Sequence, residues 1–254
     1  IYKVHNLKDL KQFHYIFTMP SFRQAFVNTI IIAFFKITLS ILVPLVLSLM
    51  LNEVTKSWFK RSVQTIVFIP YFFSWAILAG MVLEIFAYDG VINNVLESLF
   101  GMEPIAFLVS SKYFRTIVIG SDVWKCMGYN TVLLLAAITN VDPTLHEAAQ
   151  VDGAGRWKQM LHVTLPGIMP MVAVLTVLGL GGILNAGFEQ ILIMYNPTVE
   201  KTVDILDTLV YRLGMVSHQY SATAAMGLFK SVISLLFVGT SYWILYKKSD
   251  YRVF

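Results

Sequence analysis

Polar side chains within otherwise apolar stretches are the positions at which this chain could bind a solute. Asp122, Cys126 and Tyr129 are spaced i, i+4 and i+7, so on a helix they share one face. Lys125 follows Asp122 by three residues and could neutralise it. An ionisable residue inside a membrane helix is costly and usually faces a cavity or a partner, which predicts a solute passage along this face. A structural ion pair with packing between helices explains the same residues equally well.

The sequence contains no motif of a catalytic or nucleotide-binding site. There is no G-x-x-x-x-G-K-[ST] phosphate loop, and "GLGG" at 179–182 lies in an apolar run with no lysine after it. The five histidines have no ligand spacing, and the single cysteine excludes an internal disulfide. No Ser/His/Asp set or carboxylate pair stands out in the sequence. We therefore expect no catalytic residue, metal or cofactor in this chain.

Composition indicates an integral membrane protein. Of 254 residues, 57% are hydrophobic and only 13% are charged, against about a quarter charged in soluble domains. Mean hydropathy is +0.68. The net charge of +4 is mild, and the basic residues form no stripe of the kind that binds nucleic acid.

The apolar runs predict an all-α, polytopic bundle of transmembrane helices, because a helix needs about 20 apolar residues to cross a bilayer. Before the first run, residues 1–24 predict an extracellular amphipathic segment, with Leu7, Leu10, Phe13 and Phe17 at helical spacing. We expect a transmembrane domain over 25–246 and a cytoplasmic tail over 247–254. The five predicted spans are about 25–51, 62–86, 113–139, 166–195 and 226–246.

The distribution of basic residues predicts which ends of the spans face the cytoplasm. Lysine and arginine are densest in the segment around 53–61, in the segment around 147–166 and in the tail. Dense basic residues near span ends mark the cytoplasmic side. The loop at 140–166 is therefore predicted to be cytoplasmic.

That loop carries "EAAQVDGAGRWKQMLHVTLP", a polar segment between two apolar runs. Asp142 is suited to cap a helix and Pro143 to be its first residue. Gly153 and Gly155 should break this helix, "RWKQMLHVTL" can resume it, and Pro166 should start the next span. A short helix with small residues on one side lets the surface of another protein come close. Charge-assisted bonds of Glu147, Asp152 and Arg156 could fix the register of this helix on its partner. A solvated loop without a partner is the alternative.

The segment resembles the EAA signature of permease subunits of binding-protein-dependent ABC importers. The pattern is Glu-Ala-Ala, three residues, Gly, nine residues, an aliphatic residue, one residue and Leu-Pro. Val163 stands where isoleucine is usual. "RSVQTIVFIPYFFSW" and "LDTLVYRLGMVSHQYSATAAMGLFKSVIS" are similar to the polysaccharide, maltose-permease-like (MalF/LplB-like) branch. The residues that match this pattern are Glu147, Ala148, Ala149, Gly153, Leu165 and Pro166. Asp152, Ala154 and Arg156 lie between matched positions and are assigned to the same loop site.

The resemblance implies a type I ABC importer permease in a bacterial cell membrane. The expected partners are a second homologous permease, two cytoplasmic ATPase subunits that hold ATP and Mg, an extracellular solute-binding protein, the lipid bilayer and a sugar. In this family the loop is a coupling helix that docks on the ATPase, with Glu147 and Gly153 at the family's loop glutamate and glycine. The branch has one more N-terminal membrane helix, so we expect that this chain has lost one.

The resemblance also implies a substrate pathway. The family's sugar-contacting positions fall on Asp122, Cys126, Tyr129, Gly179 and Ile183. Asn185, Glu189 and Gln190 lie near the predicted outer end of the fourth span, where exposure at the interface or a pathway role would account for them. Trp58, Tyr71, Trp75 and Trp243 are expected to be interfacial anchors, and Lys36 and Lys230 to snorkel or pair within the bundle.

Three function classes fit this sequence to different extents. The resemblance favours an importer of an oligosaccharide or polysaccharide fragment. A related permease for an amino acid or phosphate is the alternative. A membrane enzyme or a secondary transporter would need a catalytic constellation or a complete repeat pair of spans, and neither is visible.

Overall fold

The computed structural model describes residues 11–248, without the side chains of 244–246 and 248. Leu7, Leu10 and the tail beyond residue 248 lie outside the described residues. Every regular element in the described part is a helix, which confirms the predicted all-α class. In chain order the helices are α1 (Lys11–Thr18), α2 (Pro20–Glu53), α3 (Ser57–Phe68), α4 (Trp75–Ile85), α5 (Val91–Phe100), α6 (Ser111–Thr139), α7 (Pro143–Val151), α8 (Arg156–Gln159), α9 (Leu165–Gly181), α10 (Phe188–Met194), α11 (Glu200–Val203), α12 (Leu206–Tyr211) and α13 (Tyr220–Lys248).

Three of the described helical stretches are long and apolar enough to cross a membrane: Pro20–Glu53, Arg156–Gly181 and Tyr220–Trp243. A fourth is obtained if Ser57–Phe72 and Trp75–Ile85 together form one span. Helix α6 has the length of a span, but it contains Lys112, Arg115, Asp122 and Lys125. Length and composition thus support three or four crossings, and the number five stays a prediction.

The predicted second span, 62–86, is not one continuous helix. A 3₁₀ turn, Ile69–Phe72, follows α3, and Phe73 then has an extended backbone with φ −80° and ψ 142°. Proline has no N–H to continue the ladder of helical hydrogen bonds, and Pro70 lies within this turn. Because the helical hydrogen bonds stop at this break, the backbone carbonyls beside it need hydrogen-bond donors from elsewhere.

The predicted fourth span, 166–195, is also divided. Helix α9 ends at Gly181, and α10 begins only at Phe188 after Gly187, which has a φ of 97°. Gly181 and Gly182 lie at this end, and glycine is among the weakest helix formers.

The start of this span differs from the prediction as well. The helix does not begin at Pro166 but runs from Arg156 to Gly181, with a π-helical turn at Met160–Thr164. In that turn the N–H of Leu165 donates to the Met160 carbonyl, five residues back. The wider π turn moves the preceding backbone carbonyls away from the ring of Pro166. In a regular α-helix this ring would collide with the carbonyl four residues before it.

The chain divides into two compact units. Among the described residues, the first contains 11–34, 75–118 and 181–237, and the second contains 35–74, 119–180 and 238–248. The core of the first includes Phe114, Leu78, Ile191 and Leu206, all fully buried. In the second, a buried cluster is formed by Leu51, Leu135, Ile138 and Ile168.

Within the first unit, polar bonds hold the segment at 196–217. The Arg115 guanidinium donates to the Asn28 side-chain oxygen at 2.8 Å and to the Thr202 carbonyl at 2.7 Å. Asn28 donates to the Asp204 carbonyl at 3.1 Å. The buried Asp204 carboxylate pairs with Arg212 at 2.6 Å. Bonds from α2 and α6 to backbone carbonyls give this segment a defined conformation although it contains only short helices.

Candidate functional site

The loop at 140–166 begins with a capped helix, as predicted. The Asp142 side chain accepts a hydrogen bond from the Thr144 backbone N–H at 2.9 Å, and Pro143 is the first residue of α7. This bond from the backbone N–H lowers the pKa of the Asp142 carboxyl. A negative charge at the N-terminus of α7 also interacts favourably with the helix dipole.

The same helix ends in a Schellman motif at Gly153. The Ala154 N–H donates to the Ala149 carbonyl at 2.9 Å, and the Gly153 N–H donates to the Gln150 carbonyl at 3.0 Å. Gly153 has a φ of 75°, in the left-handed region that a Cβ disfavours. The expectation that this glycine provides a bend is therefore confirmed. Gly155 has an ordinary φ of −68°, so only one of the two glycines needs to be glycine for its conformation.

The second half of the loop leads directly into a membrane helix. Gly155 precedes α8, and the Gln159 side chain donates to the Ala154 carbonyl at 2.7 Å. Leu165 and Pro166 follow in the continuous helix after the π turn. A displacement of α7 can thus be transmitted to α9 through a short, hydrogen-bonded connection.

The loop presents a mixed surface to its surroundings. Glu147, Ala148, Asp152 and Arg156 are exposed, whereas Ala149 and Ala154 are half-buried. Val151 is 89% exposed, and Leu145 and Trp157 are exposed too. Within the described residues, Glu147, Asp152 and Arg156 make no ion pair with one another. Exposed apolar side chains bordered by charged ones are typical of a surface that another protein covers.

On another side of α7 lies a groove of about 400 Å³. Polar residues of α7 and α8 line it, together with the C-terminal ends of α2 and α6. Among these lining residues are Glu53, His146, Gln150, Arg156 and Gln159.

Asp122, Cys126 and Tyr129 lie along α6, as their spacing predicts. The Asp122 carboxylate pairs with the Lys36 ammonium of α2 at 3.1 Å, and their side chains are 18% and 7% exposed. This confirms that Lys36 pairs within the bundle. The Lys125 ammonium donates to the carbonyls of Tyr71, at 3.3 Å, and of Phe73. Its position at the break after α3 was not foreseen.

Tyr129 stacks on Tyr71. The two rings are 4.7 Å apart and within 10° of parallel, and both residues are exposed in the isolated chain. Phe68 also stacks on Tyr71, with 5.9 Å between the two ring centroids. Cys126 is half-buried.

Gly179 lies in the last turn of α9, and Ile183 follows the end of that helix. A Cβ at Gly179 would lie 3.0 Å from Cγ2 of Ile37, so this glycine allows α9 to pack closely on α2. Ile183 belongs to the first unit, where it is only 5% exposed. Their assignment to a substrate pathway stays a prediction.

A match to a protein-family model identifies the family of this chain. The model described as "Binding-protein-dependent transport system inner membrane component" matches residues 37–246, from α2 through the loop to α13. The chain belongs to this family. The resemblance expected from the EAA segment is thereby confirmed, and the protein is an integral membrane component of a transport system.

Individual members of the family match over most of the chain. The Bacillus subtilis permease protein YteP of a polygalacturonan/rhamnogalacturonan transport system is 40% identical over 90% of this chain and 71% of its own length. Protein LplB of the same organism is 41% identical over 92% of this chain and 73% of its own. A crystal structure of a bacterial ABC transporter that imports the acidic polysaccharide alginate matches with a TM-score of 0.93 at 37% identity, covering 97% of this chain and 86% of that one.

The structure places one residue of this permease differently from the prediction and gives a second one contacts that the sequence did not indicate. Gln190 was expected near the outer end of a span, exposed or in a pathway, but it is fully buried and donates to the Val118 carbonyl at 2.7 Å. For Tyr71 the structure adds contacts of its ring and its carbonyl with residues of α6, and its role as an interfacial anchor stays a prediction. The aromatic run "YFF" directly after Pro70 is the signal that could have indicated a broken helix with exposed rings.

Proposed function

We propose that this chain is the membrane-spanning subunit of an ATP-driven importer and forms half of the translocation pathway for an oligosaccharide or polysaccharide fragment. An extracellular solute-binding protein delivers the substrate. The names of relatives support the carbohydrate class: YteP belongs to a polygalacturonan/rhamnogalacturonan system, and the matching crystal structure is that of an alginate importer. A bacterial alginate ABC transporter has also been solved in complex with an alginate pentasaccharide-bound periplasmic protein.

The geometry of the loop carries the proposal. Helix α7 is closed at one end by Asp142 and at the other by the Schellman motif at Gly153, and it continues through α8 into α9. Such an element is short, rigid and connected to a membrane helix. It is therefore suited to dock on a separate ATPase and to pass a movement of that ATPase into the membrane. ATP and Mg are held by two such ATPase subunits, and this chain itself is not an enzyme.

In this proposal the loop residues divide into two groups. Glu147, Ala148, Asp152 and Arg156 contact the ATPase, because they are exposed. The others set the loop's conformation and its link to the membrane: Ala149, Gly153, Ala154, Leu165 and Pro166.

The substrate pathway is proposed to include the α6 face. Sugar rings present apolar C–H faces that stack on aromatic side chains, and Tyr129 and Tyr71 offer such faces beside polar groups of Asp122 and Cys126. Gly179 and Ile183 are assigned to the pathway by resemblance alone. A second, similar permease supplies the other half, and the assembly lies in the cell membrane of a bacterium.

The coupling assignment is tested by reversing the charge of one exposed loop residue. The complete transporter with Glu147→Lys is reconstituted in liposomes, and substrate-stimulated ATP hydrolysis and uptake of a labelled oligosaccharide are measured. We expect assembly to be normal and both activities to be lost. Lys56→Glu, a charge reversal at an exposed residue outside the loop, should retain them.

Two results would contradict different parts of the proposal. Normal turnover with Glu147→Lys would remove the role of the loop in coupling. Uptake of an amino acid or of phosphate, with no uptake of any oligosaccharide by the wild type, would show that the carbohydrate class is wrong.

A further inference from the structure

A pocket of about 600 Å³ lies in the first unit, where α1 meets α2 and α11 packs beside them. One part of its lining is apolar and includes Phe17 and Val27, which are 54% and 46% exposed. Another part is cationic and consists of Arg23 of α2 and Lys201 of α11, both exposed. The pocket therefore combines an apolar surface with two positive charges.

No carboxylate of the described residues faces these two cations. The residues that line the pocket include no aspartate or glutamate. Glu200, which precedes Lys201 in the chain, lies 3.3 Å from the Arg212 guanidinium, and the Asp204 carboxylate pairs with the same arginine. A pocket with two cations and no carboxylate in its lining attracts an anion.

Hydrogen bonds from α2 fix the backbone that carries Lys201. The Gln24 side chain donates to the Lys201 carbonyl, and the Asn28 side chain donates to the same carbonyl at 3.2 Å. Gln24 is the neighbour of Arg23 in α2, so these bonds hold Lys201 beside the turn that contains Arg23. The two cations thus reach one pocket without a rearrangement of the backbone, which lowers the entropic cost of binding a ligand there.

The length of α2 indicates the depth of this pocket in the membrane. The helix has 34 residues, which corresponds to a length of about 51 Å. The hydrocarbon core of a bilayer is about 30 Å thick, and the headgroup regions extend this to about 40–45 Å. A crossing helix of this length therefore has its ends in the headgroup regions. Arg23 lies in the first turn of α2, just before the predicted first span at 25–51, at the end that is predicted to be extracellular.

We propose that this pocket binds the headgroup of an anionic phospholipid. The proposal goes beyond the transport function, which assigns no site to a particular lipid. Arg23 and Lys201 bind the phosphate through charge-assisted hydrogen bonds, and the acyl chains lie against Phe17 and Val27. A free phosphate ion would gain nothing from these apolar side chains, so the lining favours a lipid over a soluble anion.

The test compares two lipid probes that have the same acyl chains and differ in headgroup charge. Photoactivatable phosphatidylglycerol, which is anionic, and phosphatidylcholine, which is zwitterionic, are titrated against the complete transporter in detergent. Labelling of the peptide that spans the α1–α2 corner is quantified by mass spectrometry. We expect half-saturation by phosphatidylglycerol at a roughly 30-fold lower concentration, about fivefold for each of the two cations.

Variants of the two cations should reduce this preference stepwise. Arg23→Gln and Lys201→Gln should each reduce it about fivefold, and the double variant should label almost equally with both probes. Labelling by phosphatidylcholine should stay as in the wild type, because the apolar part of the pocket is intact. A double variant that still prefers phosphatidylglycerol as strongly as the wild type would overturn the proposal.

Lys112→Gln is the matched control, because Lys112 is an exposed cation of the same unit that lies at the start of α6 and does not line the pocket. Its preference should equal that of the wild type. A loss as large as that of Arg23→Gln would mean that only the overall charge of the surface matters, and the proposal would be wrong. Two results with the wild type alone would also overturn it. One is equal labelling by the two probes, and the other is full displacement of phosphatidylglycerol by millimolar inorganic phosphate, which would identify a site for a free anion.

Discussion

At Gly153, one backbone angle determines how the loop turns. Its φ of 75° is left-handed, and a Cβ built there would have no atom within 4 Å, so a substitution is disfavoured by conformation rather than by collision. We expect Gly153→Ala to weaken the helix end by about 1 kcal/mol. Amide hydrogen exchange at Ala154, whose N–H closes the motif, should become roughly fivefold faster.

The neighbouring glycine offers a control for this substitution. Gly155 has equally open surroundings and an ordinary φ, so Gly155→Ala should leave the exchange rate unchanged. If both variants changed the rate alike, loss of glycine flexibility rather than left-handed geometry would be responsible.

A second prediction concerns the buried ion pair of Lys36 and Asp122. Removal of one partner leaves the other charge buried and unpaired, which typically costs about 3–5 kcal/mol. Lys36→Met should therefore lower the thermal unfolding temperature of the purified complex in detergent markedly. The double variant Lys36→Met/Asp122→Leu should recover most of the loss, since no charge is then left behind. A double variant as unstable as the single one would show that packing at these positions matters more than charge.

Among the elements, α7 should depend on pH through its cap. The bond from Thr144 lowers the folded-state pKa of Asp142 below its ordinary value of 3.8, so the carboxylate stabilises α7 above that value. This stabilisation is lost as the pH falls below 3.8 and through the lower pKa of the folded state. Amides of α7 should accordingly lose protection from hydrogen exchange below about pH 4.

Asp142→Asn retains a capping side chain that does not titrate. In this variant the protection of α7 should no longer change around that pH. If Asp142→Asn still loses protection from hydrogen exchange around that pH, a titratable group other than Asp142 is responsible for the loss.

For the whole molecule, coupling and substrate passage should be separable by mutation. Tyr129 lies on the α6 face and not in the loop, so Tyr129→Leu should lower oligosaccharide uptake roughly 3- to 10-fold through the loss of stacking. Basal ATP hydrolysis by the complete transporter should be unchanged. Tyr129→Phe keeps the ring and should transport nearly as well as the wild type. Equal defects in the two variants would mean that the hydroxyl, and not the aromatic face, is needed.

Features that depend on neighbouring residues could be predicted from the sequence. Asp142 and Pro143 mark the start of α7 and Gly153 its end, because caps and left-handed turns are determined within a few residues. The long apolar runs indicated membrane helices for the same reason. The spacing of Asp122, Cys126 and Tyr129 was sufficient to place them on one face of α6.

Contacts between distant residues were decided only by the tertiary structure. Lys36 and Asp122 are 86 positions apart, and no local pattern pairs them or places the Tyr71 ring against Tyr129. Gln190 is polar and near an apolar run, and its burial depends on the Val118 carbonyl of another helix. The sequence alone therefore determined the class of protein and its loop, whereas packing decided which polar groups in the membrane helices meet.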